Sequence, residues 1–237
     1  HPHHETQAIR GTNDTQSFAA DAAQKPCVSC KATGLKPIAD LGPMPRSDGL
    51  IENPDVQEDR LPLRLAICPE CTLVQILETR PPVEMFGESY LYFSSYSEHY
   101  LDHCRQSALA LISDMGLGQD DLVVEIASND GYMLKNFTAS GIPVLGIDPA
   151  PHQVKAALEQ GIDTRQAFFG TSLARDLKAD GKTASLILAN NVVAHVEDPN
   201  DLVQGMHDLL ADEGRVVIEF PYVRDLVDQN QFDTIYH

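Results

Sequence analysis

The sequence predicts an α/β protein in which a doubly wound parallel sheet follows a small cysteine-rich domain. Two observations carry this prediction. From Asp120 onward, short apolar runs alternate with helix-like segments, an order that places parallel strands in one sheet with helices packed on its faces. Ahead of this region, four of the five cysteines form two pairs, each with two residues between its members.

The elements of the sheet follow one another in regular order. Apolar runs bounded by polar residues predict strands at 122–127, 142–148, 162–166, 184–192 and 215–220. Helical spacing, together with proline or glycine at the ends, predicts helices at 99–115, 131–140, 151–161 and 197–214. Ligands of such sheets bind at the carboxyl ends of the strands, so the residues that follow each strand form the candidate site.

The 237 residues are enough for two modest domains, and we divide them into four stretches. The predicted stretches are a polar, disordered leader (1–25), a metal-binding domain (26–80), an aromatic loop with a helical linker (81–118) and the sheet domain (119–237).

The net charge of −18 makes nucleic acid and anionic membranes poor partners, which leaves a small molecule as the expected substrate. The sequence has no secretory signal and no apolar run of membrane-spanning length. Five cysteines in a chain without a signal indicate a reducing compartment, so we expect a cytoplasmic protein, and their odd number argues against a full disulfide framework. Cys104, which stands outside the two pairs, is expected to be a buried apolar residue.

The paired cysteines are Cys27, Cys30, Cys68 and Cys71. Two residues between thiolates let both sulfurs wrap one ion, and two such pairs complete a tetrahedral four-sulfur shell. Four thiolates leave no open coordination position, so we predict a structural site, with zinc as the expected ion and iron as its competitor. A redox-active pair is the alternative interpretation.

The first strand of the sheet leads into the segment EIASNDG, residues 125–131. A dinucleotide site would need G-x-G-x-x-G here so that a pyrophosphate can approach the start of the helix. The segment instead has one glycine, Gly131, and two acids, Glu125 and Asp130, which would repel a pyrophosphate. A cationic ligand without phosphates suits this cleft, and S-adenosylmethionine, with its sulfonium, ammonium and ribose, is the predicted cofactor.

Other candidate cofactor contacts follow the later strands. Asp148 ends the second strand and can accept hydrogen bonds from both ribose hydroxyls. Phe168, with Phe169 beside it, can flank adenine. The predicted cofactor-binding set is Glu125, Asn129, Asp130, Gly131, Asp148, Phe168, Asn190, Asn191 and Tyr96.

Together these motifs resemble a known family, the sugar C-methyltransferases that act on nucleotide-linked deoxy-keto-sugars. The resemblance covers residues 26–237 and depends on the order of CVSC, LPLRLAICPECTLVQI, YFSSYS, EIASNDGYML, GIDPA, ANNVVAHVED and FDTIYH. It implies a Rossmann-like class I methyltransferase sheet between a small zinc-binding domain and a carboxy-terminal domain. The family's Tyr-His-Glu-His segment begins at Tyr236, so we expect a sheet domain truncated at its carboxy-terminal side, without the family's proposed base, the last histidine of that segment.

The resemblance also implies a catalytic set that faces the sugar: His195, Tyr236, Tyr90 and His237. Tyr92 and Tyr96 are alternatives to Tyr90. A carbon beside a ketone becomes a nucleophile only when its proton is removed, so the site needs a base and a group that stabilises the enolate oxygen. Two other functions stay open: methyl transfer to an oxygen or nitrogen acceptor, and a zinc-binding module without catalysis.

Overall fold

The computed structural model describes residues 13–47, 51, 53, 55–88, 90–231 and 235. They form two compact units, the first made of residues up to Arg46 together with Asn53–Thr79, the second mainly of Arg80–Ile235. Among the described residues, none of the helices combines the length and the apolar character needed to cross a bilayer. The predicted catalytic residues Tyr236 and His237 lie outside the described residues.

The first unit is a three-stranded antiparallel sheet with one helix. Helix α1 (Asn13–Gln24) precedes strands β1 (Lys36–Pro45), β2 (Arg60–Ile67) and β3 (Val74–Ile76), which pair in that order. The unit's small core includes two of the paired cysteines, and its buried members are Phe18, Ala22, Cys27, Leu35, Ala66, Cys68 and Leu77. This core has few large side chains, and small units of this kind commonly depend on a metal ion for additional stability.

Helix α1 departs from the prediction that residues 1–25 form a disordered leader. Phe18 and Ala22, one helical turn apart, are buried in the core of the first unit. The guanidinium of Arg64 on β2 lies 5.5 Å from the centre of the Phe18 ring and 2.6 Å from a carboxylate oxygen of Asp21. Through these contacts a mostly polar helix packs on β2 and on the core of the first unit. The prediction of a disordered leader is therefore wrong for Asn13–Gln24.

The second unit begins with helix α2 (Pro82–Met85), a 3₁₀ turn at Ser94–Tyr96 and the long helix α3 (Glu98–Met115). The remaining elements are β4 (Val123–Ile126), α4 (Leu134–Ala139), β5 (Val144–Asp148), α5 (Pro151–Glu159), β6 (Thr164–Gln166), α6 (Thr171–Ala179), β7 (Ala184–Asn190), a 3₁₀ turn at Val193–His195, α7 (Pro199–Leu209), β8 (Leu210–Glu219) and α8 (Val223–Asp228). The predicted alternation of strands and helices is confirmed.

The sheet of the second unit is entirely parallel, in the order β6-β5-β4-β7-β8. Successive residues of the strands enter opposite cores: Val124 packs on one face, Val123 on the other. All four residues of β4 are buried, as expected of a strand covered on both faces. The chain runs from β4 outward to β6 and then returns to β7, so strand order reverses between β4 and β7, where a ligand crevice is expected.

Helix α7 is shorter than predicted and β8 is longer. The helix ends at Leu209, and Leu210 already pairs with Ala184 of β7. Leu209, the last residue of the helix, is fully buried. The apolar pattern predicts that the helix continues through residues 210–214, but pairing with β7 takes these residues into the sheet. Helices α6 and α8 were not predicted.

Candidate functional site

The four paired cysteines come together at one end of the first unit. Their sulfurs all lie within 4.8 Å of one another, with Cys27 and Cys71 at 3.6 Å and Cys30 and Cys68 at 3.5 Å. Four sulfurs around a zinc ion, at a bond length of about 2.3 Å, would be spaced about 3.8 Å apart. The donor set and its spacing therefore fit one tetrahedral metal ion, and the clustering predicted from the sequence is confirmed.

Each cysteine pair lies in the same kind of turn. The amide of Cys27 donates to Ala32 O (2.8 Å) and that of Cys68 to Leu73 O (2.9 Å). The residue after each second cysteine has left-handed backbone, with φ of 63° at Lys31 and 62° at Thr72. Two matching turns bring the pairs face to face, each with its first cysteine buried and its second exposed.

The Cys68 thiol is prepared for metal binding by its own turn. Backbone N–H groups of Cys71 and Glu70 donate to its sulfur and lower its pKa to about 7, against the effect of burial, whereas, despite the Ala32 backbone N–H, burial and the neighbouring sulfurs raise the pKa of its partner Cys30. A metal-binding cysteine must be a thiolate, so this turn favours the binding form. Four sulfurs complete the shell, and the site is structural in kind.

A second candidate site lies where β4 ends, in the loop of residues 127–131. Alternate residues of this loop have left-handed backbone: Ala127 at φ 56°, Asn129 at 50° and Gly131 at 81°. Such backbone costs a non-glycine residue about 1–2 kcal/mol, least for asparagine, and is typically retained where it shapes a ligand site. At Gly131 a Cβ would lie 2.9 Å from the Ile162 side chain, so the single glycine stands where space requires it.

Asp148, at the carboxyl end of β5, holds this loop in place. One carboxylate oxygen accepts from the amide of Asn129 and the other from that of Ala150, each at 2.8 Å. Burial raises the pKa of Asp148 to about 6, although both amides lower it. Each oxygen keeps a lone pair beyond its backbone bond, so the carboxylate can accept further hydrogen bonds from a ligand.

Glu125 lies beneath the loop and not on the surface of the cleft. The side chain has no exposed surface, and within the described part of the chain neither carboxylate oxygen has a hydrogen-bond partner. Burial, with the nearby charges of Asp148 and Asp130, raises the pKa of Glu125 well above its usual range; the Tyr132 hydroxyl, which is near but forms no hydrogen bond of normal geometry, offsets part of this rise. Its contact with the cofactor stays a prediction.

The predicted contacts on later strands lie at or after the carboxyl ends of β6 and β7. Asn190 ends β7, and its side chain reaches the hydroxyl of Tyr132. Asn191 follows with left-handed backbone (φ 53°) and donates from Nδ2 to the Glu219 carboxylate at 3.1 Å. Phe168, after β6, is 48% exposed, whereas Phe169 packs against the core. Phe168 is thus the member of the pair whose ring is free to meet a ligand.

Two residues predicted to face an acceptor are brought together by a third that the sequence did not single out. The Phe86 ring meets Tyr90 edge-on, with centroids 5.3 Å apart, and His195 at 6.0 Å. Tyr90 and His195 are half-buried, whereas Tyr92 is exposed and Tyr96 is 79% exposed. The contact that Tyr90 and His195 share with Phe86 favours Tyr90 over these two alternatives, although the roles of all three tyrosines stay predictions.

Other residues of this region also escaped prediction. Tyr132, 3% exposed, stacks on Tyr100 with centroids 5.5 Å apart, and both rings lie close to Glu125. Burial raises the pKa of the Tyr132 hydroxyl well above its usual range. The fifth cysteine, Cys104, is 2% exposed and packs in the same core, which confirms that it is a buried residue. Tyr132 and Tyr100 resemble aromatic residues at any core position, so the sequence offered no signal of their place beside Glu125.

Comparison with known families agrees with this architecture. A family model described as “Methyltransferase domain” matches residues 96–237, and one described as “Putative zinc binding domain” matches residues 27–86. The first covers more than half of the chain, and the second contains all four paired cysteines. The chain belongs to the methyltransferase domain family, with a zinc-binding family domain ahead of it.

Individual relatives match over different lengths. The C-methyltransferase NovU of Streptomyces niveus is 30% identical over 213 residues, which are 89% of this chain and 50% of that protein. The chain thus spans about half the length of this relative. Among solved structures, the PH0226 protein of Pyrococcus horikoshii has a TM-score of 0.46 at 18% identity, over 59% of this chain and 62% of that one. The plantazolicin methyltransferase BpumL with bound SAH gives 0.42 at 16% identity, over 55% and 49%.

Proposed function

We propose that the chain binds S-adenosylmethionine in the cleft formed by residues 127–131, Asp148 and Asn190. The observation that carries this proposal is the charge of the cleft. Asp148 and Asp130 are 4% and 2% exposed, and in the described part of the chain Asp130 Oδ1 has no hydrogen-bond partner. A pyrophosphate would meet both acids as like charges, whereas the sulfonium and ammonium of this cofactor would be attracted to them.

The acids have separate tasks in this proposal. Asp148 accepts the two ribose hydroxyls, the role that an acid at the end of the second strand has in nucleoside-binding sheets. Asn129, Asp130 and Gly131 supply the loop against which the methionine portion lies, and Asn190 with Asn191 borders it. Phe168 lies against adenine, and Tyr96 contributes from the aromatic segment.

The transferred methyl group goes to carbon in this proposal, as the similarity to the C-methyltransferase NovU favours. The acceptor is a nucleotide-linked deoxy-keto-sugar, methylated beside its ketone. When bound, the cofactor supplies an electrophilic methyl group. His195 and Tyr90 lie beside the acceptor, hold its enolate oxygen by hydrogen bonds and exclude water, and Tyr236 with His237 completes the catalytic set. The proton that leaves the carbon is accepted by the base that the family resemblance implies, the last histidine of the Tyr-His-Glu-His segment that begins at Tyr236, and the methyl group takes the place of that proton.

The zinc ion has a structural task in the same proposal. Cys27, Cys30, Cys68 and Cys71 hold it in a closed shell, so no position is open to a substrate. Its binding free energy stabilises a unit whose own core is small.

A labelled-methyl experiment tests the proposed reaction. With the full-length protein and methyl-labelled cofactor, we expect the label on an acid-stable carbon of the sugar. His195→Asn should lower turnover by about 10²–10⁴ because an oriented imidazole is lost from the acceptor side. His207→Asn, on the exposed surface of α7, is the matched control. Label on oxygen or nitrogen, or normal turnover of His195→Asn, would contradict the proposal.

A further inference from the structure

The segment of residues 86–96, here called the aromatic loop, is held by a buried glutamine of another element. Gln153 lies in the first turn of α5 and has no exposed surface. Its Nε2 donates to the carbonyl of Tyr90 at 3.2 Å and to that of Tyr92 at 3.0 Å. The amide therefore ties two alternate backbone carbonyls of the aromatic loop to the sheet domain.

Asn129 makes the second attachment from the loop that follows β4. Its Nδ2 donates to the carbonyl of Tyr92 at 3.1 Å, and its Oδ1 accepts from the amide of Ser94 at 3.0 Å. The asparagine amide thus pairs with the aromatic loop as a neighbouring strand would, with one donor and one acceptor. Its own backbone amide donates to Asp148, so a single residue connects the aromatic loop to the carboxylate that we assign to the ribose.

While the Nε2 of Gln153 makes two hydrogen bonds, the oxygen of the same amide makes none among the described residues. Gln153 Oε1 is buried and, within the described residues, has no hydrogen-bond partner. A buried polar atom without a partner destabilises the folded state, and a glutamine retained under that condition calls for a reason. Its two donated bonds supply one, because side chains rather than a sheet satisfy the carbonyls of Tyr90 and Tyr92.

The position of the Tyr90 ring depends on this attachment. Gln153 holds the carbonyl of Tyr90 itself and that of Tyr92, and the Tyr90 ring packs on Phe86, whose ring in turn meets His195. A displacement of about 1 Å in a residue that orients a substrate can cost about 10²-fold in rate. Holding the aromatic loop is therefore a condition for keeping Tyr90 beside His195.

We infer that Gln153 and Asn129 are positioning residues that fix the aromatic loop against the loop following β4 and thereby place Tyr90 and Phe86 beside His195. This inference rests on the proposed function in one respect, since it assigns the aromatic loop to the acceptor side of that site. Neither residue needs to touch the acceptor: both act through the backbone of the aromatic loop.

Substituting Gln153→Met tests the inference, because methionine has a similar length and no donor. Hydrogen exchange of residues 86–97 should quicken about tenfold on loss of two hydrogen bonds. Affinity for SAH should stay within about threefold, while turnover of the full-length enzyme should fall about 10–100-fold. This split separates positioning from a general loss of structure, which would weaken SAH binding as well.

Gln160→Met is the matched control. Gln160 caps the same helix and donates to Asp130 O at 3.0 Å, and none of its hydrogen bonds reaches the aromatic loop, so exchange of residues 86–97 should keep its wild-type rate. Asn129→Gly is a second variant that keeps the left-handed backbone and the amide bond to Asp148 while removing the side-chain bonds to Tyr92 and Ser94, together with the one to the Asp130 amide. It should also quicken exchange of the aromatic loop, and it provides the test if Gln153→Met does not fold.

Unchanged exchange in Gln153→Met and in Asn129→Gly would overturn the inference, as would quickened exchange with unchanged turnover. Failure of the proposed function gives a different result. In that case wild-type protein would not bind SAH, while the exchange comparison between Gln153→Met and Gln160→Met would still report whether the aromatic loop is held.

Discussion

At the scale of single residues, Asp148 connects the geometry of the cleft to the pH dependence of stability and of ligand binding. Its two oxygens already accept two backbone amides, and burial raises its pKa to about 6. The raised pKa means that the folded chain without ligand holds this proton more tightly than an unfolded chain does. Stability from this group is therefore greatest below its ordinary pKa and is lost as pH rises through about 6.

Cofactor binding should show the opposite dependence on pH. The ionised carboxylate accepts ribose hydroxyls, so affinity for SAH should be constant from pH 7 to 8 and about tenfold weaker near pH 5, one unit below the pKa of Asp148. Calorimetric titration across this range measures it. Asp148→Asn should bind weakly at every pH, whereas Glu159→Gln, exposed on α5, should retain the wild-type profile. A wild-type affinity independent of pH would contradict the role given to Asp148.

At the scale of elements, the two cysteine turns act together as one candidate metal site. Each supplies one buried and one exposed sulfur, and the buried ones belong to the core that also holds α1. Loss of the ion would remove the cross-link that joins Cys27 and Cys68 within this core. The first unit should then lose its structure as metal is removed, whereas the second unit has a large core of its own.

Cys27→Ser tests this relation between metal and fold. Wild-type protein should contain one zinc per chain by metal analysis, and the variant well under one, with residues 13–46 exposed to fast hydrogen exchange. Cys104→Ala is the matched control: its thiol lies in the core of the second unit, so zinc content should stay at one. A full complement of zinc in Cys27→Ser, or unchanged exchange after chelation, would show that the cysteines are not the ligands on which the unit depends.

The sequence predicted those features that regular patterns encode. Continuous apolar runs such as Val123–Ile126 predicted the strands, and the spacing within the two cysteine pairs predicted that the four cysteines cluster. It missed features that depend on distant partners. Helix α1 gains stability from a core that only the folded unit provides, and the pairing of Leu210 with β7 ends α7 early.

Backbone conformation explains the remaining gap at the site. A glycine pattern indicates left-handed backbone in a sequence, yet after β4 Ala127 and Asn129 adopt this conformation without being glycines. Phe86 and Gln153 belong to no recognisable motif. Phe86 acts through ring packing, and Gln153 binds the carbonyls of Tyr90 and Tyr92, which precede it in the sequence by 63 and 61 residues. Only the fold brings such partners together.

The charge of the whole chain agrees with the charge of its cleft. A net charge of −18 repels anionic ligands over a distance of about 10 Å at moderate salt, and the buried acids continue this preference at close range. A cationic cofactor without phosphates is thus favoured both on approach and in the bound state. The acceptor that we propose, which carries phosphates, must be recognised away from these acids.

The central claim is that this sheet binds S-adenosylmethionine and not a dinucleotide. Calorimetric titration of the zinc-loaded chain with SAH and, separately, with NAD at pH 7.5 tests it most directly. We predict one SAH bound per chain and no measurable heat of NAD binding. Binding of NAD without binding of SAH, or no binding of SAH to a folded chain that holds one zinc, would contradict the claim.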